Sequence, residues 1–103
     1  MNLNAYQKLT RETAIYPKNL AIPYLALGLT PEAGEVAGKI KKQIRDGGVE
    51  VMGTIDEVGD VFWYLVRICD ELGFEAEDVL QRNWTKLEDR KNRGVLGGSG
   101  DKR

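Results

Sequence analysis

Two acidic pairs give this chain its chemical interest. Glu32 and Glu35, in EAGEVAGKIKK, and Glu57 and Asp60, in DEVGDVFWYL, each carry acids three residues apart. On a helix that spacing sets the two side chains on one flank, about one turn apart. Two such pairs on adjacent helices supply the hard oxygen donors that Mg²⁺ prefers, often with retained waters beside a phosphate. A bound cation also compensates charges that otherwise repel one another at the edge of a core. Purely structural roles suit either pair alone. Glu32 falls in the first turn of a predicted helix, where the dipole favours an acid, and Thr54-x-x-Glu57 has the pattern of a capping box. Gly34 and Gly59, however, stand just before the second acid of each pair. Glycine inside a helix costs about 1 kcal/mol relative to alanine. Close backbone approach, or room for a ligand, would rationalise that cost.

Composition narrows the chemistry. Histidine is absent, which removes the commonest general base and the usual transition-metal ligand. Carboxylates, lysine, arginine, tyrosine or a bound metal must do the work. A carboxylate-bridged di-iron bundle wants Glu-x-x-His pairs and is disfavoured. Cys69, the single cysteine, forms no internal disulfide, reads as a buried small apolar residue and suits a reducing compartment. A net charge of −1 gives no general attraction to a nucleic acid polymer or an anionic membrane. No apolar run approaches the roughly 20 residues that span a bilayer, and MNLNAYQKLTRETA lacks the apolar core of a signal peptide. The expected location is cytoplasmic.

The elements that must position these acids read as helices. The 103 residues suit one domain, 1–95, with 96–103 as a tail. A first helix is expected from Asn4 to about Ile15, with Tyr6, Leu9 and Thr13 at helical spacing and Pro17 beyond it. Residues 17–30 read as an irregular or short helical connector whose Tyr24, Leu25, Leu27 and Leu29 pack onto the bundle. Thr30-Pro31 reads as the start of a second helix, running to about Asp46 and ended by Gly47-Gly48. Its buried face would be Ala33, Val36, Ala37, Ile40 and Ile44, with Glu32, Glu35 and Lys39 on the neighbouring flank. Residues 47–54 read as a loop or a frayed helix start. A third helix, from about Ile55 to Leu72, is apolar over more than one face, which predicts packing against another subunit. A fourth, Ala76 to Asn92, would bury Val79, Leu80, Trp84 and Leu87, while Asn83, Lys86 and Arg90 share a flank and can point into one site. The glycine-rich tail reads as flexible, or else as a loop that orders over a bound anion. The fold class is all-α, of four-helix-bundle type, completed by oligomerisation.

These residues carry a family resemblance. The ordered set ALGLTPEAGEVAGKIKK, DEVGDVFWYL and NWTKLEDRKNRGVLGGSGDKR, preceded by YQKLTRETAIY, resembles the MazG-like nucleotide pyrophosphohydrolases of the all-α NTP pyrophosphatase superfamily. The resemblance implies an enzyme that hydrolyses a nucleoside triphosphate, a deoxynucleotide above all, between its α and β phosphates in nucleotide-pool house-cleaning. It implies Mg²⁺, with Mn²⁺ as a substitute, held by Glu32, Glu35, Glu57 and Asp60. It further implies phosphate or nucleotide contacts by Lys39, Asn83, Lys86 and Arg90, and a homodimer or homotetramer.

The chemistry that follows uses the metal to neutralise the triphosphate and activate water. Glu35, then Glu32, is the candidate to orient or deprotonate that water. Lys86 and Arg90 would stabilise the departing pyrophosphate. Trp63, Tyr64 and Trp84 offer rings to a nucleobase, although aromatics at helical spacing usually pack; Tyr64, one turn beyond Asp60, is best placed to line a pocket. The competing reading is a catalytically inactive helical module that oligomerises or binds a partner.

Overall fold

The computed structural model describes residues 1–48 and 50–103. Four helices, α1 (Leu3–Thr10), α2 (Ala21–Asp46), α3 (Val51–Glu71) and α4 (Ala76–Asn92), account for the regular structure, and there is no strand among the described residues. The all-α expectation therefore holds. The principal interface is α2 against α3; α1 rests on α3 and α4, and α4 meets α3 only lightly.

Three helix boundaries differ from those expected. α1 stops at Thr10 and passes into a 3-10 turn at Arg11–Thr13. The hydroxyls of Thr10 and Thr13 donate to the carbonyls of Gln7 and Thr10, a local side-chain bond that competes with helix propagation. α2 begins at Ala21, nine residues before the expected Thr30, and runs through Pro31. An interior proline sacrifices a backbone hydrogen bond and costs about 3 kcal/mol. Tertiary packing offsets it: Leu25 is completely buried with Tyr16 and Ala21, and Gly28 lies directly beneath the Tyr64 ring. Pro23 falls in the first turn, where no intrahelical partner awaits its missing N–H. α3 begins at Val51, because the Glu50 side chain accepts from the Gly53 N–H at 3.0 Å and caps it. Thr54 is thus already helical, its hydroxyl donating to the Glu50 carbonyl, and Glu57 is no capping residue. The expected loop shrinks accordingly, and Val49 within it lies outside the described residues.

α4 has its expected limits. Gly73 and Gly94 end α3 and α4 with φ of 82° and 70°. In each case two backbone bonds close the turn: Gly73 N–H to Asp70 and Phe74 N–H to Cys69, then Gly94 N–H to Lys91 and Val95 N–H to Arg90. This paired closure needs a left-handed residue, which glycine supplies without strain. It turns the chain from α3 into α4 and from α4 into the tail.

The buried core is smaller than the periodicity implied. Tyr16, Ala21, Leu25, Val66 and Ala76 are its buried apolar members among the described residues. Of the connector residues expected to pack, Leu25 does, but Tyr24 and Leu27 are exposed. Ala33, Ala37, Ile40 and Ile44 of α2 are exposed and Val36 only half-buried, and Val79, Leu80, Trp84 and Leu87 of α4 are all exposed. Cys69 is half-buried and free. The radius of gyration is 16.6 Å, against about 13 Å for a compact domain of this length. The expected buried faces of α2 and α4 are thus largely exposed, because no described element of this chain lies over most of them.

What the chain does bury is an arginine. Arg67 pairs with Asp70 at 2.8 Å and Glu71 at 3.0 Å, one turn along α3. It also donates to the Tyr16 hydroxyl and the Thr10 Oγ1, tying the N-terminal segment to α3. Arg11 and Gln7 reach Asp70 from α1 and its 3-10 extension. Gln7 also accepts from the Ala76 N–H at the start of α4.

Candidate functional site

Because α2 and α3 pack along their lengths, their acidic flanks meet. Glu32 and Glu35 of α2 and Glu57 of α3 each offer a carboxylate oxygen, and the three oxygens lie within 4.8 Å of one another. Glu32 and Glu57 are half-buried and Glu35 is exposed. Asp60 lies outside this tight trio but close enough to act electrostatically on both Glu32 and Glu57. It shares a surface notch of about 360 Å³ with Glu32, Trp63, Tyr64 and Thr13.

The electrostatics are those of a site short of positive charge. Glu32 Oε2 and Glu57 Oε2 are buried and have no hydrogen-bond partner. The Glu57 carboxyl stands among other carboxyls, those of Glu35 and Glu32, and can engage either only if a proton is kept between them. Hydrogen bonding with Glu35 is the main cause of its pKa lying above the usual carboxylate range, with desolvation and the charges of Glu35, Asp60 and Glu32 adding to it. Desolvation is the larger cause of the upward shift of Glu32, followed by the charges of Glu35 and Asp60. Orphaned carboxylate oxygens and hard donors from two helices fit a divalent cation such as Mg²⁺, which would take these oxygens as ligands and offset their charge.

The glycines beside the acids pack against nothing among the described residues. A methyl group added at Gly34, Gly38 or Gly59 would meet nothing within 4 Å. Close backbone approach within the chain is therefore not what keeps Gly34 and Gly59 before their acids.

The remaining predicted site residues divide. Lys39 borders the same groove as Glu35 and Glu57, and Tyr64 lines the notch with Glu32 and Asp60. Trp63 is anchored there by its indole N–H, which donates to Thr13 at 2.8 Å, and its ring meets Tyr64 edge-on. Asn83 and Lys86 are exposed and line a separate groove on α4 with Val79, Arg82, Thr85 and Asp89. Arg90 does not join them. It is buried and donates to the carbonyl of Asp101 in the tail. The expectation that these three point into one site fails within a single chain, because the tail folds back over the end of α4. Arg103 holds that fold, its guanidinium donating to the carbonyls of Val95, Leu96, Gly97 and Gly100.

Sequence reasoning passed over Arg67 and its partners, although acids three and four residues after an arginine are the spacing of helical ion pairs. It also passed over Lys41 and Lys42, which line the groove beside Glu35; their position in the run KIKK was the available signal. Trp84 is exposed on α4, on the helix that carries the separate groove.

No solved structure matches the chain. Gene 37 protein of Mycobacterium phage L5 is 41% identical over 114 residues, an alignment that takes in the whole of both chains. The family model for the MazG nucleotide pyrophosphohydrolase domain matches residues 22–95, a stretch that holds all four acids and the polar flank of α4. With that stretch covering most of its length, the chain belongs to the MazG nucleotide pyrophosphohydrolase family.

Proposed function

We propose that the protein hydrolyses a nucleoside triphosphate, with deoxynucleotides as the favoured class, to the monophosphate and pyrophosphate. The observation that carries this reading is the convergence of three carboxylates from two helices, two of them with buried, unpartnered oxygens, in a member of this family. Glu32, Glu35, Glu57 and Asp60 would hold Mg²⁺ or Mn²⁺. When bound, the cation neutralises polyphosphate charge, polarises the α phosphoryl group and makes water a better nucleophile.

The protein's own groups do the rest. Glu35, the exposed member of the trio, is the first choice to take the proton of the attacking water, and Glu32 the second. Lys39 meets phosphate charge from the α2 flank. Tyr64 presents its ring to the nucleobase. Asn83 and Lys86 lie on a helix that has no substantial interface with α2, so they would serve the acids of a second copy. The exposed apolar residues of α2, α3 and α4 supply the surface for such a homodimer or homotetramer. Arg90 joins the phosphate contacts once its bond to Asp101 opens. A cytoplasmic enzyme that cleans the nucleotide pool is the role that follows.

The same exposed faces suit an oligomerising module without activity, and one assay separates the two. Purified protein is incubated with each common NTP and dNTP, with and without Mg²⁺, and the products are resolved. Monophosphate plus pyrophosphate, formed only with metal, supports hydrolysis. Diphosphate plus orthophosphate points to a different hydrolase, and no turnover on any nucleotide favours the module. Glu57→Gln removes a donor and a charge without touching a helix cap, so it should abolish turnover and leave the helical circular-dichroism signal intact.

A further inference from the structure

The acid trio sits between two recesses of opposite character. On one side is the notch holding Glu32 and Asp60, walled by Trp63 and Tyr64 with no cation among its lining residues. On the other is a trough of about 510 Å³ that holds Glu35 and Glu57 and is lined by Lys39, Lys41 and Lys42. Gly34 and Gly38 form its floor. At about 100° per residue, Glu35, Lys39 and Lys42 make one ridge of α2, Lys41 stands on the far side, and the two glycines fall between. With no side chain there and nothing approaching from the rest of the protein, the floor is bare helix backbone.

The three lysines of this trough make no close ion pair among the described residues, although Lys42 lies near enough to Asp46, one turn along α2, to help lower its pKa. Glu35 and Glu57 line the same recess. Cations and carboxylates that share a recess without neutralising one another suit a ligand bearing both signs, a metal-complexed polyphosphate. The acids take the metal; the lysines take the phosphate oxygens through charge-assisted hydrogen bonds.

We propose that this trough seats the terminal phosphates of the substrate and that Lys42 is a binding residue for them. The inference rests on the reading of the site as a polyphosphate hydrolase, and it adds a direction to it. The leaving pyrophosphate lies along α2 toward its C-terminal half, and the nucleoside is left to the notch at Trp63 and Tyr64. Gly34 and Gly38 keep the floor low enough for a tetrahedral phosphate to pass between Lys41 and Lys42.

Inorganic pyrophosphate is the probe, titrated calorimetrically into the full chain in the presence of Mg²⁺. Lys42→Ala should weaken binding about tenfold, the loss of one charge-assisted hydrogen bond in an open site, and Lys42→Arg should restore most of it. Gly38→Leu should abolish it by filling the floor. Lys8→Ala, which removes an exposed charge from α1, should leave it within about twofold if general attraction is not responsible. The proposal is overturned if wild-type protein binds no pyrophosphate, if Lys42→Ala changes affinity less than twofold, or if Lys8→Ala costs as much. Lys42 is exposed, so its variants carry the test even if Gly38→Leu fails to fold. A nucleotide hydrolysis panel run alongside keeps the two ideas apart. Pyrophosphate binding that depends on Lys42, without turnover of any nucleotide, would retain the trough and discard the hydrolase.

Discussion

Arg67→Met removes a buried charge while keeping most of the apolar stem, and its cost can be worked from the neighbours. The Arg67 side chain is 2% exposed and its partners Asp70 and Glu71 are 14% and 20% exposed. Deleting one member of a buried pair costs about 3–5 kcal/mol, because the other is left as an uncompensated charge. Here the survivors are not abandoned. Asp70 keeps Arg11 at 2.8 Å and Gln7 at 3.1 Å, and Glu71 keeps Lys18 at 3.8 Å and the Tyr16 hydroxyl. The lower end, about 3 kcal/mol, is therefore expected. For a domain of about 100 residues that lowers Tm by roughly 15 °C. The assay is thermal and urea unfolding followed by circular dichroism at one fixed protein concentration, since any self-association couples stability to concentration. Arg11→Met is the comparison: its side chain is 58% exposed, so a much smaller loss is expected. A loss below about 1 kcal/mol for Arg67→Met would refute the reasoning and assign the anchoring of the N-terminal segment to the Tyr16–Leu25 packing instead.

Acid should destabilise the protein through the same network. The Arg11 hydrogen bond, then Arg67 and Gln7, hold Asp70 far below the usual carboxylate range, and the Tyr16 hydroxyl and Arg67 lower Glu71. Both groups bind fewer protons folded than unfolded, so their stabilisation is complete above the ordinary carboxylate pKa and drains away as pH falls through about 4 toward the folded values. Urea midpoints measured against pH should therefore drop on the acid side, and Asp70→Asn should flatten that drop; an unchanged slope would count against the network. Glu32 and Glu57 have raised values and contribute the opposite sign, favouring the metal-free fold in acid and losing that contribution as pH rises through their folded pKa. Among the glycines, Gly28→Ala should destabilise, because the new methyl would overlap the Tyr64 ring. Gly59→Ala should stabilise the metal-free monomer by up to about 1 kcal/mol, and a lower Tm there would reveal that another chain packs on that face.

The acids were legible because their signal is local. A three-residue spacing on a helix fixes a shared flank whatever the rest of the fold does; how α2 meets α3 was not legible, because the apolar stripe of α2, Ala33, Ala37, Ile40 and Ile44, is exposed. Boundaries were less legible where a long-range contact outweighed a local preference. Pro31 reads as a helix start, yet Leu25 and the Gly28–Tyr64 fit carry α2 ten residues further back. Thr54 reads as a cap, yet Glu50 takes that role one turn earlier. The α4 set failed for another reason: spacing gave Asn83, Lys86 and Arg90 a common flank, but the tail carbonyl that engages Arg90 leaves no mark in helical periodicity.

The glycines sort by what they touch. Gly28 accommodates Tyr64, and Gly73 and Gly94 adopt left-handed turns that end helices; each has a reason inside the chain. Gly34, Gly38 and Gly59 have none, yet all three lie within helices that carry the acids. At about 1 kcal/mol each they forgo roughly 3 kcal/mol, a large share of the 5–15 kcal/mol by which such domains are stable. A loss of that size, confined to the surface around three carboxylates and three unpaired lysines, is best offset by something that binds there. A polyphosphate lying on the α2 floor accounts for Gly34 and Gly38. Gly59, on α3 beside Asp60, faces no group among the described residues, and its substitution distinguishes a ligand from a second copy, since only the copy's contact would lower Tm without nucleotide present.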